Sequence, residues 1–266
     1  KKPEHQGFTA RFDMLGEAAR TRADAERYFE AYFGAIRAVG SDPRAGHSVS
    51  VKLSALHPRY EVGQYDRCVP ELTDLLAQLA SEACKKNVAL TVDAEESERL
   101  EMSLDIIGKV ARGPELKGWE GFGMAVQAYG KRARSVVAWA DQLGRPMHVR
   151  LVKGAYWDSE IKRTQVEGLS DYPLFTRKAA TDVSYLACAR DMLDARNIVP
   201  AFASHNALTV ATILEWAGKA RDFEFQRLHG MGEGLYERLV REDGHHCRIY
   251  APVGGHRDLL AYLVRR

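Results

Sequence analysis

The sequence predicts an α/β chain closed into a single (β/α)8 barrel, and three observations carry that expectation. Eight short apolar runs alternate with eight helical patterns, and the runs have no polar face, as suits parallel strands covered on both sides. The length of 266 residues, 45% of them hydrophobic, is long for an ordinary domain but normal for one barrel with a sizeable core. A doubly wound open sheet is the alternative, and it differs only in a strand order that sequence does not display.

The β-like runs are 8–15, 48–53, 88–92, 121–127, 147–152, 199–203, 223–228 and 247–251. Between them lie helical patterns at 23–38, 65–85, 95–110, 131–142, 157–168 with 178–194, 208–217, 234–241 and 257–266. The first helix places Tyr28, Tyr32, Phe33 and Ile36 at spacings of three and four, a stripe that reads as core. In the fifth unit the stretch 167–173 interrupts the helix before a second one begins. No repeat, low-complexity segment or linker marks a second domain, so residues 1–266 read as one.

Composition narrows the function. With 38 basic and 36 acidic residues, net charge +2, no global nucleic-acid footprint exists. Cys68, Cys84, Cys188 and Cys247 are far apart and form no CxxC pair, which suits reduced, structural thiols in a cytoplasmic protein. No stretch approaches the roughly 18 apolar residues of a span, and the amino-terminal Lys1-Lys2-Pro3 lacks a signal-peptide core, so any contact with the inner membrane is expected to be peripheral.

A barrel places function at the C-terminal ends of its strands. The run 147–152 carries Arg150 inside an apolar strand and Lys153 just after it, and burying a charge costs several kcal/mol unless something pairs with it. Other strand ends carry Lys52 and His57, Asp93 with Glu95 and Glu96, Gln127 and Tyr129, Ser204-His205-Asn206, Gln226 and His229, and Tyr250. Each alone has a solvated rim as its ordinary explanation; their convergence is what points to a site. Neither GxGxxG after the first strand nor GxxxxGK[ST] occurs. Gly230-Met231-Gly232-Glu233-Gly234 is either a phosphate loop or a tight turn needing positive φ. No HExxH or clustered Cys/His set appears, and no metal is expected.

Six stretches, in register over nearly the whole chain, resemble one family: Ser50–Pro58, Thr91–Glu96, Val126–Tyr129, Val149–Asp158, Ser204–Asn206 and Tyr262–Arg266. The chain is similar to the flavin-dependent proline dehydrogenases, and through Thr176-Arg177-Lys178 and Thr181–Cys188 to the dehydrogenase domain of the bacterial bifunctional proline utilisation A proteins.

The resemblance implies a distorted (β/α)8 barrel that oxidises L-proline to Δ1-pyrroline-5-carboxylate, with hydride passing from proline C5 to N5 of a noncovalent FAD and electrons going on to a membrane quinone. It implies an aldehyde dehydrogenase module in the parent protein and a last helix that continues beyond Arg266. By the same resemblance Arg265 and Arg266, with Lys52 as a third cation, anchor the proline carboxylate, where a planar guanidinium can grip two oxygens. Read by itself, Arg265-Arg266 is a dibasic helix end favoured by the macrodipole. Asp93 and Arg150 match active-site positions, Asp93 to hold a cation in place and Arg150 to stabilise charge developing on the reduced ring. Flavin contacts carried over are Ala94, Gln127, Arg150, Lys153, Gly154, Ala155, Thr176, Lys178, Ser204 and His205, with Trp157 packing alongside; Tyr156, Leu228, Tyr250 and Tyr262 wall the proline ring. Two other possibilities stay open, a Schiff-base aldolase using Lys52 or Lys153 and a scaffold piece with no activity.

Overall fold

The computed structural model describes residues 7–14, 18–42, 46–218 and 222–254. Eight parallel strands pair in sequence order as a closed barrel: β1 (Thr9–Met14), β2 (Ser48–Val51), β3 (Ala89–Val92), β4 (Phe122–Gln127), β5 (Met147–Val152), β6 (Ile198–Ala203), β7 (Glu224–Leu228) and β8 (Cys247–Val253). That order removes the open-sheet alternative. The expected last helix, with Tyr262, Arg265 and Arg266, lies outside the described residues. Two compact units divide the chain, Ala10–Met124 with Tyr250–Arg266, and Lys1–Thr9 with Ala125–Ile249.

In the first of these, β1 pairs with β2 and β2 with β3 in parallel register, Asp13 opposite Ser50 and Ser50 opposite Thr91. Helices α1 (Arg22–Gly40) and α3 (Tyr65–Lys86) pack together, and α3 packs on α4 (Leu100–Ala111). α1 begins where Thr21 and Asp24 form a reciprocal capping box, which satisfies two orphan N–H groups. α3 turns Leu72, Leu76 and Leu79 into the core, each fully buried, and stops at Asn87 in the left-handed conformation. The run expected as strand through residue 53 instead ends at Val51. Lys52 caps a short buried helix, α2 (Leu53–Leu56), a local turn that an apolar pattern does not distinguish from strand.

In the second unit, β5, β6 and β7 pair in parallel, with Arg150 opposite Ala201 and Ala203 opposite Gln226. α7 (Lys178–Asp194) packs on α5 (Ala133–Asp141), β5, β6 and α8 (Ala207–Ala217). The buried Tyr185 hydroxyl lies 3.3 Å from Leu151 O and 3.1 Å from Ala203 O, so α7 holds the ends of two adjacent strands. After α6 (Trp157–Val166) the irregular stretch is anchored by an antiparallel bridge of Gly130 with Leu174. Lys131 N donates to Pro173 O at 3.0 Å and Phe175 N to Tyr129 O at 2.8 Å. The glycine-rich turn before α9 (Glu233–Arg241) is a tight turn: Gly230 has φ +76° and Gly232, the helix cap, φ +64°.

Candidate functional site

Each unit carries its own cluster of strand-end polar groups. In the unit of residues 10–124 with 250–266, the cluster is built on Lys52 at the end of β2. Its side chain is 7% exposed, and Nζ donates to Asp13 Oδ1 at 2.6 Å and to Asp93 Oδ2 at 3.1 Å. Tyr250 on β8 donates its hydroxyl to the same Asp93 oxygen at 2.9 Å, and Tyr32 on α1 accepts the Lys52 backbone N–H at 3.2 Å. Burial disfavours the Lys52 ammonium, yet Tyr250, Asp93 and Asp13 together outweigh burial and hold its pKa well above the ordinary lysine value. A lysine kept so firmly protonated is no Schiff-base nucleophile. Burial raises the Asp13 carboxyl above its usual range against the pull of Lys52, and Asp93 alongside adds to the rise.

Sequence reasoning did not single out Asp13. The signal was present, because Arg11 and Asp13 alternate on one face of β1 and both are buried, the same anomaly as Arg150 on β5. Arg11 is met by Ser48 Oγ at 3.1 Å and Thr91 Oγ1 at 2.5 Å. Two residues beyond Asp93, past the half-buried Ala94, Glu95 accepts the Ser54 backbone N–H at 3.1 Å. Part of Glu95 reaches solvent, but its carboxyl is enclosed, and burial raises its pKa to about 7. His57, expected at a strand end, is instead the buried cap of α2 and binds Glu71 at 3.1 Å.

In the unit of residues 125–249, Arg150 is buried within β5 and Lys153 is half-buried just beyond it. Lys153 donates to Asp182 on α7, whose other oxygen takes Lys178 Nζ at 2.6 Å; Lys153 and Lys178 hold this carboxyl below its ordinary pKa. Gln127 Oε1 accepts the Ala155 N–H at 3.0 Å, which fixes the turn after β5. Gly154 is required there for a reason sequence reasoning did not give. A Cβ would lie 2.3 Å from Tyr129 Cδ2, and φ is +147°. Gly154→Ala is therefore expected to destabilise the protein by about 3 kcal/mol, read as a lower urea midpoint; an unchanged midpoint would mean that Tyr129 does not lie under this turn.

Tyr156 is half-buried and caps α6, and the exposed Trp157 donates Nε1 to Phe175 O at 3.2 Å. That bond and the Gly130–Leu174 bridge present Thr176 and Lys178, both exposed, at the start of α7. At the end of β6, Asn206 is the cap of α8 and accepts the Thr209 N–H at 3.0 Å. The neighbouring Ser204 is buried, and its carbonyl accepts the Tyr236 hydroxyl at 2.6 Å. His205 Nε2 accepts the backbone N–H of the half-buried Leu228 at 3.0 Å, so the neutral ring carries its proton on Nδ1. The sequence motif Ser-His-Asn thus divides into one helix cap and two residues that hold strand ends.

A profile of the family described as Proline dehydrogenase matches residues 1–266. The chain belongs to the proline dehydrogenase family. It is 51% identical over 284 residues to the bifunctional protein PutA of Klebsiella aerogenes, a match covering 100% of the chain and 22% of that relative. Among solved structures, a substituted form of PutA from Bradyrhizobium japonicum superposes with a TM-score of 0.93 at 56% identity, covering 97% of this chain and 28% of that one. PutA from Bdellovibrio bacteriovorus, in a form inactivated by N-propargylglycine, gives a TM-score of 0.92 at 32% identity, covering 98% and 30%. The chain therefore spans about a quarter of the proteins it matches, and those relatives carry the same barrel within much longer polypeptides.

Proposed function

We propose that residues 1–266 are the proline dehydrogenase barrel domain of a longer bifunctional protein and oxidise L-proline to Δ1-pyrroline-5-carboxylate with a noncovalent FAD. What carries this proposal is the family match over the whole chain. The relatives' name, bifunctional protein PutA, supports a second catalytic module in the parent protein, proposed to be an aldehyde dehydrogenase. Among the described residues no helix is long and apolar enough to cross a membrane, and we place the domain in the cytoplasm, peripheral to the membrane where it meets a quinone.

The residues present fit a large anionic cofactor with an aromatic ring. Lys153 and Lys178 gather at one carboxylate, and the first turn of α7 has no side-chain cap, so its N–H groups suit an anion such as a diphosphate. Exposed Gly154 and Ala155 offer backbone, and the exposed Trp157 offers an aromatic face. When bound, the flavin supplies N5 as the acceptor for the hydride leaving proline C5, with a membrane quinone as the onward electron acceptor.

The chain's own residues then bind and orient. Lys52, held by Asp13 and Asp93, is a fixed cation for the proline carboxylate alongside Arg265 and Arg266. Tyr250, oriented by its bond to Asp93, walls the proline ring together with Tyr156, Tyr262 and Leu228. Arg150, buried in β5, sets positive charge where the reduced ring gains electron density. Most of the rate available to a hydride transfer comes from such positioning. The test is the visible spectrum of the anaerobic protein before and after L-proline. A flavin band that bleaches is expected, whereas a protein that cannot take up FAD would return the chain to the scaffold alternative.

A further inference from the structure

Gln226 lies on β7 two residues before Leu228, on the same face of the strand, and is 1% exposed. Its Nε2 donates to Glu224 Oε1 at 2.6 Å. Glu224 is itself gripped by Arg248, with Nε at 2.8 and 3.1 Å from its two oxygens and Nη2 at 2.8 Å. A carboxylate only accepts, so the Gln226 amide is fixed with nitrogen toward Glu224 and oxygen turned away. That oxygen is buried and accepts no hydrogen bond from the described residues. A satisfied chain of polar groups thus ends in one unmet acceptor, on the strand whose end holds Leu228.

Several other acceptors at these strand ends carry one bond each. Gln127 Oε1 takes the Ala155 N–H at 3.0 Å, His205 Nε2 the Leu228 N–H at 3.0 Å, Ser204 Oγ the Asn206 N–H at 3.2 Å, and Ser204 O the Tyr236 hydroxyl at 2.6 Å. Lys153 and Lys178 donate only. The set is rich in donors for an anionic, carbonyl-bearing ligand, and Gln226 Oε1 is the acceptor in it that no described residue meets. An oxidised flavin ring carries one neutral N–H, the imide N–H between its two carbonyls. A secondary ammonium, by contrast, favours a charged acceptor.

We propose that Gln226 is a further cofactor-binding residue whose side-chain oxygen accepts the imide N–H of the flavin ring; this rests on the FAD binding proposed above. The test compares dissociation constants of FAD and of N3-methyl-FAD, which lacks that N–H, for the apoprotein and for Gln226→Leu, read by quenching of flavin fluorescence. The parent protein is expected to bind the methylated flavin about tenfold more weakly than FAD. The variant is expected to bind both alike, at about the weaker affinity. Gln226→Met replaces the leucine variant if that one does not fold. A parent protein indifferent to methylation would overturn the proposal and leave the oxygen to a buried water; an equal loss in parent and variant would place the imide elsewhere and overturn it too. In both cases FAD binding and bleaching by proline would stand. Uptake of neither flavin by the parent would remove the FAD proposal itself.

Discussion

Replacing Lys52 by methionine is expected to destabilise the protein by about 3–5 kcal/mol, because it leaves two carboxylates in a buried place without the cation they share. Lys52 is 7% exposed, and Asp13 and Asp93 are 4% and 6% exposed, so solvent cannot substitute for the lost ammonium. The size of the loss should depend on pH in a defined direction. Burial already raises the Asp13 carboxyl, and without Lys52 only the smaller influence of the Tyr250 hydroxyl opposes that rise. A group whose folded pKa is raised contributes most at low pH, so the deficit of Lys52→Met should shrink as the medium is acidified and the carboxyls take up protons. Asp13→Asn in the same chain should recover part of the loss at neutral pH by removing one of the stranded charges. Urea midpoints of the single and double variants measure both effects. A Lys52→Met protein as stable as the parent would mean that these three side chains do not form a buried triad, and the fixed cation proposed for the proline carboxylate would go with it.

Glu95 gives the second large effect. Its carboxyl titrates at about 7 in the fold against 4.5 as the ordinary value, with burial as the main cause and the Ser54 hydrogen bonds opposing it. A carboxyl raised in the folded state stabilises fully below the unfolded pKa and loses that contribution as pH rises through the folded pKa. The parent should therefore lose about 2 kcal/mol of stability through this group between about pH 5.5 and about pH 8.5. In Glu95→Gln the amide oxygen still accepts the Ser54 N–H but does not titrate, so that portion of the pH dependence should vanish. Arg99, Glu96 and Tyr60 act on the same carboxyl and remain in both proteins, so the difference between the two pH profiles isolates Glu95. Parallel profiles would show that Glu95 is ionised in the fold across this range.

The barrel was readable because its strands leave the two signals that sequence preserves best, apolar runs and their alternation with helical stripes. β5 falls on the residues expected, and β4 and β8 differ only at their ends. What was not readable is local and tertiary. α2 is a four-residue turn in an apolar stretch, and only packing separates that from strand. Asp13 was passed over although Arg150, an equally charged residue in an equally apolar strand, was noticed; the difference is that β1 begins near a polar terminus, which blurs its apolar pattern. Gly154 was noticed, but as a flavin contact implied by the family resemblance, whereas the obstacle its missing Cβ avoids is the ring of Tyr129. Chemical type and spacing thus marked the positions, and partners decided their roles.

The single carboxylate of Asp182, shared between Lys153 and Lys178, acts as an internal counter-ion. An anionic ligand arriving at these lysines would exchange one partner for another and free Asp182 to turn toward solvent. Fewer dissolved ions are displaced in such an exchange than when bare lysines are neutralised. The anionic end of a ligand held here should accordingly gain in selectivity more than in raw attraction, since only a group that satisfies both lysines at least as well as Asp182 can take its place.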